Sequence, residues 1–468
     1  MTASDASFDL TVIGSGPGGY VAAIRGAQLG LKTAVVEMAP RPGGTCLLWG
    51  CIPTKALLHA AEVLETSRHA ERFGVKVAPG TLDIPKLHAY KDKVVTANVK
   101  GVEYLFKKNG ITLVPGRGTL AGPGRIAVAE SGGASREIRT KFTVVATGSV
   151  IRGLPGVEFD GVRVINSDHA LSLGEIPPSM IVLGAGAVGV EFASIYATFG
   201  SKVTVVELLP RLIPLEDESL GAELERAFKK RGIAVHTATK VESVSSAPSG
   251  VKVKAVRDGK PLELEAAVLL VAVGRRPLTE NLGLEALGVK LDRGFVEVDG
   301  LMRTGAAGVW AIGDIVKTQA LAHVASHEGI VAVEDAAGAA PHPIDYDKIP
   351  SCTYCDPEVA SIGLSEATAR ERGHDVAVGQ FPFSAIGKAK ILDDTRGFVK
   401  IVTDRKYDEV LGVHIIGAHA TELIAEATAA LNLEATAASL FEAVHAHPTL
   451  SEAMGEAALA VHKRTIHM

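Results

Sequence analysis

Two cysteines separated by four residues, Cys46 and Cys51, carry the most specific chemical signal in the sequence. A dithiol beside a redox cofactor can pass two electrons to it, and thiolate character controls the rate of exchange. We expect a helix after Pro53, with its positive N-terminal end near the sulfurs, where it would favour the thiolate. The alternatives are two ordinary buried cysteines, or half of a zinc site completed by Cys352 and Cys355. Because no histidine stands at a metal-ligand spacing, we favour the redox pair, expect no metal and assign the second pair to a strand and a turn.

A histidine near the C-terminus offers a base for thiol chemistry. The segment 445–452 reads His-Ala-His-Pro-Thr-Leu-Ser-Glu and places Glu452 five residues after His447. An imidazole with a pKa near neutrality can remove a thiol proton, and a carboxylate can orient it and stabilise its charge. His445 is the competing candidate, but its position before the motif is more typical of a structural residue.

Two copies of a strand, glycine turn, helix and strand pattern organise the chain. In the first copy the strand, the glycines and the final carboxylate are residues 8–13, Gly14, Gly16, Gly19 and Glu37. In the second they are residues 180–183, Gly184, Gly186, Gly189 and Glu207. The glycines let a backbone turn approach pyrophosphate at a helix N-terminus, and the carboxylate can accept hydrogen bonds from ribose hydroxyls. Two complete copies predict two dinucleotide cofactors, a flavin and a nicotinamide.

Composition excludes several other classes. The net charge is -5, and no basic stretch is interleaved with aromatic residues, so we expect no nucleic-acid partner. Apolar runs such as residues 266–273 are strand-sized, far below the ~20 residues of a membrane span. Residues 1–7 are polar and too short for a signal peptide, and four cysteines do not make a secreted disulfide framework. These features predict a cytoplasmic protein.

The segment 43–58, GGTCLLWGCIPTKALL, resembles the active-disulfide motif of the pyridine nucleotide-disulfide oxidoreductases. Within that family the whole chain is most similar to the dihydrolipoamide dehydrogenases. Further matching segments are residues 211–214, 397–400, 411–417, 421–424 and 465–467. One departure is the pair Leu48-Trp49, which replaces a small or polar pair between the cysteines and bears on substrate breadth.

The resemblance implies an α/β fold with two Rossmann-like dinucleotide-binding domains and a C-terminal α+β dimerisation domain. The implied FAD-binding domain comprises residues 1–150 and 275–345, and the NAD-binding domain, residues 151–274, is inserted in it. Residues 346–468 form the implied interface domain of a homodimer.

The resemblance also assigns roles to individual residues. Cys46 is implied to be the outer, substrate-facing sulfur and Cys51 the inner sulfur beside the flavin. His447 is the implied base, with Glu452 as its partner, and this dyad serves the disulfide of the other subunit. Lys55 and Glu191 match an ion pair lying against the flavin. Further implied cofactor-binding residues, at strand ends and turns, are Thr147, Gly148, Gly274, Asp314 and Ala322.

The predicted reaction is the oxidation of dihydrolipoamide by NAD+ through a redox-active disulfide and FAD. Glu207 would repel the 2′-phosphate of NADP, and Arg211 is the only nearby cation, so NAD is favoured. The implied partners are lipoyl domains and the acyltransferase core of a 2-oxoacid dehydrogenase complex, or a glycine cleavage complex. The open alternatives are an NAD(P)H-dependent reductase of another low-molecular-weight disulfide, a mainly complex-docking flavoprotein subunit, and a peroxide-forming NADH oxidase.

Overall fold

The computed structural model describes residues 6–78, 80–130 and 132–468. Most of the polar N-terminal segment considered above therefore lies outside the described residues. The chain divides into two compact units. The first comprises residues up to 56, 86–152 and 275–346, and the second comprises residues 57–85, 153–274 and 347–468.

The first unit is built on a sheet whose centre is parallel. In spatial order its strands are Thr112–Pro115, Thr33–Glu37, Ala6–Ile13, Ser135–Val145, Arg125–Ala129 and Arg117–Gly122, and Val309–Ala311 also pairs with Ser135–Val145. Successive residues of the first strand point to opposite faces, so that Leu10 and Val12 join one core cluster and Ile13 joins another. Two small pairs of strands complete the unit: Ser149–Ile151 with Arg275–Pro277, and Leu291–Asp292 with Phe295–Val296.

Helices cover the first unit and lie at its boundaries. They are Pro17–Gln28, Gly44–Leu48, Cys51–Arg68, Ile84–Lys108 and Ala322–Ala336, with short 3-10 turns at Glu285–Leu287, Gly313–Ile315 and Tyr346–Lys348. The first and last of these helices approach each other closely. A Cβ added at Gly329 would lie only 2.7 Å from the carbonyl oxygen of Gly18. Glycine at this crossing lets the helix backbones pack against each other.

The second unit contains the second glycine motif in a sheet that is parallel throughout. In spatial order its strands are Ala234–His236, Lys202–Val206, Ser179–Leu183, Val268–Val271 and Val164–Ile165. The continuous burial of Val268–Val271 fits a strand covered on both faces. Its helices are Ser167–Ala170, Ala187–Phe199 and Glu218–Lys230, and an antiparallel sheet is formed by Thr239–Ala247, Gly250–Arg257 and Lys260–Ala266.

An antiparallel five-stranded sheet forms the C-terminal part of the second unit. In spatial order its strands are Ser351–Thr353, Glu358–Gly363, Val410–Gly417, Phe398–Asp404 and Val376–Pro382. Its helices and short turns are Glu366–Glu371, Phe383–Ala385, Gly387–Leu392, Ala420–Asn432, Ala437–Glu442 and Glu452–Val461, and Ala70–Phe73 also belongs to this unit. A large apolar cluster between this sheet and its helices includes Phe381, Ile401 and Ile415.

The mixed α/β architecture predicted from the sequence is confirmed. Residues 57–85 group with the second unit, whereas the sequence predicts them in the first. The division of the second unit into a nicotinamide domain and an interface domain stays a prediction. Within the described residues, no helix combines the length and the apolar character needed to cross a membrane.

Candidate active site

The two glycine motifs share the same pair of backbone hydrogen bonds to their carboxylates. Glu37 accepts hydrogen bonds from the backbone N–H of Ser15 at 2.8 Å and of Ala39 at 2.7 Å. Glu207 accepts the equivalent bonds from Ala185 at 2.6 Å and Leu209 at 2.8 Å. Each carboxylate thus braces the glycine turn, and its remaining lone pairs can still accept ribose hydroxyls.

The glycines of these motifs have two different reasons to be glycine. Gly14 and Gly184 have φ values of +105° and +100°, and a Cβ there would collide with a backbone carbonyl. Gly16 and Gly186 have ordinary extended backbone, with φ of -62° and -70°. A Cβ on Gly16 would meet only the Cα of Gly44, at 4.0 Å, and one on Gly186 would meet no protein atom within 4 Å. Here the protein itself does not require glycine, so the open space is what a ligand would fill.

Both motif helices also begin without a side-chain cap and without an acidic residue in their first turn. Their first N–H groups therefore point, with the positive end of the helix dipole, at the space beside Gly16 and Gly186. This donor set fits the pyrophosphate of a dinucleotide at each turn, and the assignment of FAD to the first turn and NAD to the second stays a prediction.

The remaining predicted cofactor residues lie at strand ends and helix starts. Thr147 Oγ1 donates to the carbonyl of Leu278 at 2.7 Å, and the carbonyl of Gly148 accepts from the N–H of Leu278 at 2.9 Å. Asp314 lies in the short 3-10 turn after Val309–Ala311, and Ala322 is the first residue of an uncapped helix. Gly274 follows the strand Val268–Val271 by three residues and has a φ of +103°.

Three supporting residues were not assigned a role from the sequence. Ser149 Oγ donates to Asp314, and Arg275 donates to Ser149 Oγ and to its carbonyl, each at 2.7 Å. Glu328 is fully buried and accepts from the N–H of Gly313 at 2.6 Å. Ser149 and Arg275 flank strand-end motifs that the sequence shows, whereas Glu328 lies in a helix interior with no local signal.

The two cysteines lie on two consecutive helices separated by a short turn. Cys46 lies within Gly44–Leu48, and Cys51 is the first residue of the 18-residue helix Cys51–Arg68. The helix expected after Pro53 thus begins two residues earlier, because proline is tolerated in a first turn where no N–H is needed. Trp49 ends the first helix and its side chain is 41% exposed.

A glycine contact joins the cysteine segment to the first glycine turn. A Cβ on Gly44 would lie 2.5 Å from the Cα of Gly16, so only glycine allows the two backbones to approach. The N–H of Gly43 donates to the Oγ of Ser15 at 3.1 Å. The segment that carries Cys46 is therefore anchored beside the first glycine turn.

The structure shows Cys46 and Cys51 as thiols with their side chains in hydrogen-bond contact. The hydrogen bond to Cys51, followed by burial, raises the pKa of Cys46, and the charge of Lys55 opposes the change. For Cys46 the expected lowering of the pKa is therefore wrong in the dithiol form. Cys46 keeps its proton because its S–H group donates a hydrogen bond to the Cys51 sulfur.

Glu191 is buried in the second unit and accepts from the N–H of Tyr354 at 3.0 Å. Lys55 belongs to the first unit, where its charge acts on Cys46. The predicted ion pair between Lys55 and Glu191 stays a prediction.

The structure brings His447 and Glu452 together. His447 Nδ1 lies 2.8 Å from Glu452 Oε1, and Glu452 Oε2 accepts from the N–H of Thr449 at 2.9 Å. Burial alone would raise the pKa of Glu452, but the bonds from His447 and Thr449 outweigh it and lower the pKa. Glu452 also begins the helix Glu452–Val461, where a carboxylate is favoured. The imidazole is 76% exposed on its loop, so its Nε2 is available to a substrate.

The competing residues have structural partners. His445 Nε2 lies 2.6 Å from Glu426, and its side chain is largely buried. Cys352 lies in the strand Ser351–Thr353, and Cys355 is buried in the turn that follows, as expected. Among the residues that the structure describes, no three His, Cys, Asp or Glu side chains are grouped to hold a metal ion.

Models of known families match both parts of the chain. The model of the pyridine nucleotide-disulphide oxidoreductases matches residues 8–329, and the model of their dimerisation domain matches residues 349–458. The chain belongs to the pyridine nucleotide-disulphide oxidoreductase family. This membership confirms the predicted oxidoreductase class and the cofactors FAD and NAD, and the dimerisation-domain match supports a homodimer.

Individual members of the family resemble the chain over nearly its full length. The dihydrolipoyl dehydrogenase of Bacillus subtilis is 45% identical over 98% of this chain and 99% of its own. That of Chlorobaculum tepidum is 47% identical over 97% of each chain. Among solved structures, LpdA from Mycobacterium tuberculosis has a TM-score of 0.89 at 30% identity and covers 96% of this chain and 99% of its own. The HOCl-induced flavoprotein disulfide reductase RclA from Escherichia coli has a TM-score of 0.85 at 26% identity, covering 97% and 99%.

Proposed function

We propose that the protein oxidises dihydrolipoamide with NAD+, using Cys46 and Cys51 as its redox disulfide. The observation that carries the proposal is the contact between the two thiols, anchored beside the glycine turn that fits FAD. The names of the relatives, dihydrolipoyl dehydrogenases at 45% and 47% identity, supply the substrate.

The residues of the chain divide the thiol chemistry between them. One substrate thiol loses its proton to His447 Nε2, and the thiolate attacks the Cys46 sulfur of the disulfide. The Cys46–Cys51 bond breaks, and Cys51 leaves as a thiolate at the N-terminus of its helix, where negative charge is stabilised. The second substrate thiol then attacks the substrate sulfur of the mixed disulfide. The cyclic disulfide forms, the bond to Cys46 breaks, and the proton of the second thiol passes to the departing Cys46 sulfur.

His447 is suited to the proton transfer by its partner. Because an ionised carboxylate only accepts hydrogen bonds, Glu452 fixes the ring proton on Nδ1 and leaves Nε2 as the basic atom. In the reduced pair the raised pKa of Cys46 keeps its proton in place, so the same base is also needed when this thiol reacts in the reverse direction. FAD, when bound, accepts the two electrons from the dithiol and NAD+ removes them.

The structure around Glu207 supports NAD over NADP as the electron acceptor. Glu207 occupies the end of the strand Lys202–Val206, where a carboxylate repels a 2′-phosphate. Arg211, the nearby cation, is bound to Glu218 at 2.7 Å and to the carbonyl of Pro214 at 3.3 Å. It is thus committed to the protein.

The finer assignments of partner and place belong to the same proposal. We propose that lipoyl domains carry the substrate, that the dimer serves an acyltransferase core of a 2-oxoacid dehydrogenase complex, and that it does so in the cytoplasm. Four cysteines in 468 residues are too few for the disulfide framework of a secreted protein, which supports a reducing compartment.

The direct test is NAD+ reduction by dihydrolipoamide with the purified flavoprotein, with NADP+ run in parallel. Oxidised glutathione with NADPH provides a matched assay of the alternative activity. We expect fast turnover with dihydrolipoamide and NAD+ alone. Turnover of NADPH with glutathione disulfide, and none with dihydrolipoamide, would refute the substrate assignment and leave the redox centre intact.

A further inference from the structure

A second histidine–carboxylate pair lies on the helix that carries Glu452. His467 Nδ1 is 2.6 Å from Glu456 Oε1, and Glu456 Oε2 accepts from the N–H of Ile466 at 3.1 Å. The same pattern holds Glu452, which receives His447 Nδ1 on one oxygen and the N–H of Thr449 on the other. The C-terminal tail thus repeats the geometry of the proposed base.

The two pairs are neighbours on one face of the helix. Glu452 and Glu456 are four residues apart within Glu452–Val461, so their side chains project from the same side, one turn apart. His467, bound to Glu456, therefore lies on the same side of the helix as the dyad, and its charge helps to lower the pKa of Glu452.

The chemistry of His467 matches that of a solvent-facing base. Glu456 is largely buried, and its carboxylate accepts the ring N–H, which fixes the proton on Nδ1. The imidazole is 70% exposed, so Nε2 is a basic nitrogen open to water. A residue that served only to anchor the tail would need the hydrogen bond to Glu456 but would not need an exposed basic nitrogen.

The proposed reaction requires a path for a proton. Oxidation of one dihydrolipoamide by one NAD+ yields the cyclic disulfide, NADH and one proton, and that proton leaves the enzyme in each turnover. His447 therefore has to return to its neutral form before the next substrate thiol can be deprotonated.

We propose that His467 is a proton-relay residue, resting on the proposed function, which takes the proton from His447 and passes it to solvent. The proton moves from Nε2 of His447 to Nε2 of His467, directly or through water, and then to bulk water or buffer. Both Nδ1 protons stay on the rings, held by Glu452 and Glu456. His467 acts through His447 and does not touch the substrate.

The decisive variant is His467→Asn. The asparagine amide can still donate to Glu456 in place of Nδ1–H, which keeps the tail anchored, but it has no basic nitrogen. The matched control is His462→Asn, because His462 lies in the same tail and pairs with a carboxylate of another element, Asp408, at 3.1 Å. Thermal unfolding and flavin content verify that each variant is folded.

At low buffer concentration we expect His467→Asn to slow dihydrolipoamide oxidation by about three- to tenfold. This loss is smaller than the loss expected on removing the base itself, which is about 100-fold or more. Added imidazole should restore the rate, because a diffusible base can take over a relay but cannot replace a tail anchor. His462→Asn should behave like the unsubstituted protein, with or without imidazole.

Two results would overturn the relay: an unchanged rate in His467→Asn, or a loss that imidazole does not restore. If His467→Asn unfolds, Glu456→Gln is the deciding variant, since its amide oxygen still accepts Nδ1–H while the negative charge beside the ring is lost. The relay then predicts a smaller loss that imidazole restores, and the same two results would contradict it. Absence of dihydrolipoamide turnover in the unsubstituted protein would instead refute the proposed function, and the relay with it.

Discussion

At the level of single residues, the proton on Cys46 determines what the rest of the site has to supply. Its hydrogen bond to Cys51 and its burial raise its pKa, so the reduced pair does not release this proton spontaneously. A base is therefore required to take this proton when the pair reacts in reverse, and to take the proton of an attacking substrate thiol. His447, whose Nδ1 is held by Glu452, offers an exposed Nε2 for this purpose.

We expect His447→Gln to lower the rate of flavin reduction by dihydrolipoamide by about 100-fold or more, because the thiol proton then has no acceptor. Oxidation of NADH by an artificial electron acceptor should be nearly unchanged, since that reaction needs no thiol. The two rates are measured by stopped-flow and by steady-state absorbance.

His445→Gln is the matched control for this experiment. His445 also pairs with a glutamate, Glu426, but its side chain is largely buried. It should retain the dithiol reaction if it folds normally. Equal losses of both reactions in His447→Gln, or a dithiol-specific loss in His445→Gln, would contradict the role of His447.

The sequence predicts the identity of the site residues better than their local electrostatics. The spacing of His447 and Glu452 predicts their pairing, which the structure shows. The direction of the Cys46 pKa could not be read from spacing, because it depends on the distance between two sulfurs across a turn. Glu328 was missed for a similar reason, since its burial arises only when distant segments pack together.

At the level of elements, some glycines of the two turns are required by the packing of the protein, whereas others leave space for a ligand. Gly189 packs against the carbonyl of Gly184, so a Cβ there would force the turn open. Gly186 has ordinary backbone angles and open space around it. The glycine pattern in the sequence predicts both turns but does not distinguish these two reasons.

We expect Gly186→Ala to fold normally and to raise the KM for NAD+ by about tenfold, equivalent to about 1.4 kcal/mol of binding, because the methyl group occupies the space of the pyrophosphate. Gly189→Ala should instead destabilise the protein by about 1–3 kcal/mol through overpacking. Steady-state kinetics and thermal unfolding measure the two effects. A folded Gly186→Ala with unchanged KM would show that NAD does not approach this turn.

Regular elements were predictable because their signals are local. Alternating or continuous apolar runs between glycines predict the strands Ala6–Ile13 and Lys202–Val206 and the helices between them. The start of the helix at Cys51 was misplaced, because Pro53 indicates a helix start only to within a turn. The grouping of residues 57–85 with the second unit has no local signal, since it depends on tertiary contacts.

At the level of the whole molecule, the resemblance implies that each active site is built from both subunits of the dimer. A heterodimer of one Cys51→Ser subunit and one His447→Gln subunit tests this arrangement. If the dyad serves the other subunit, one of the two sites keeps an intact disulfide and an intact base. We therefore expect about half of the normal activity per dimer.

Two different affinity tags isolate the heterodimer after co-expression, and each variant homodimer is assayed as a control. The homodimers should be nearly inactive with dihydrolipoamide. An inactive heterodimer that retains FAD would show that the dyad acts on the disulfide of its own subunit.

The proposed reaction requires a substrate dithiol to deliver its electrons through the Cys46–Cys51 pair. The most direct measurement is the flavin absorbance of the purified protein after anaerobic mixing with dihydrolipoamide in the absence of NAD+, compared with Cys51→Ser. We predict rapid loss of the oxidised flavin spectrum in the unsubstituted protein and none in Cys51→Ser, while NADH reduces the flavin of both. If NADH reduces the flavin of the unsubstituted protein but dihydrolipoamide leaves it oxidised, the substrate dithiol does not deliver electrons to the flavin through this pair.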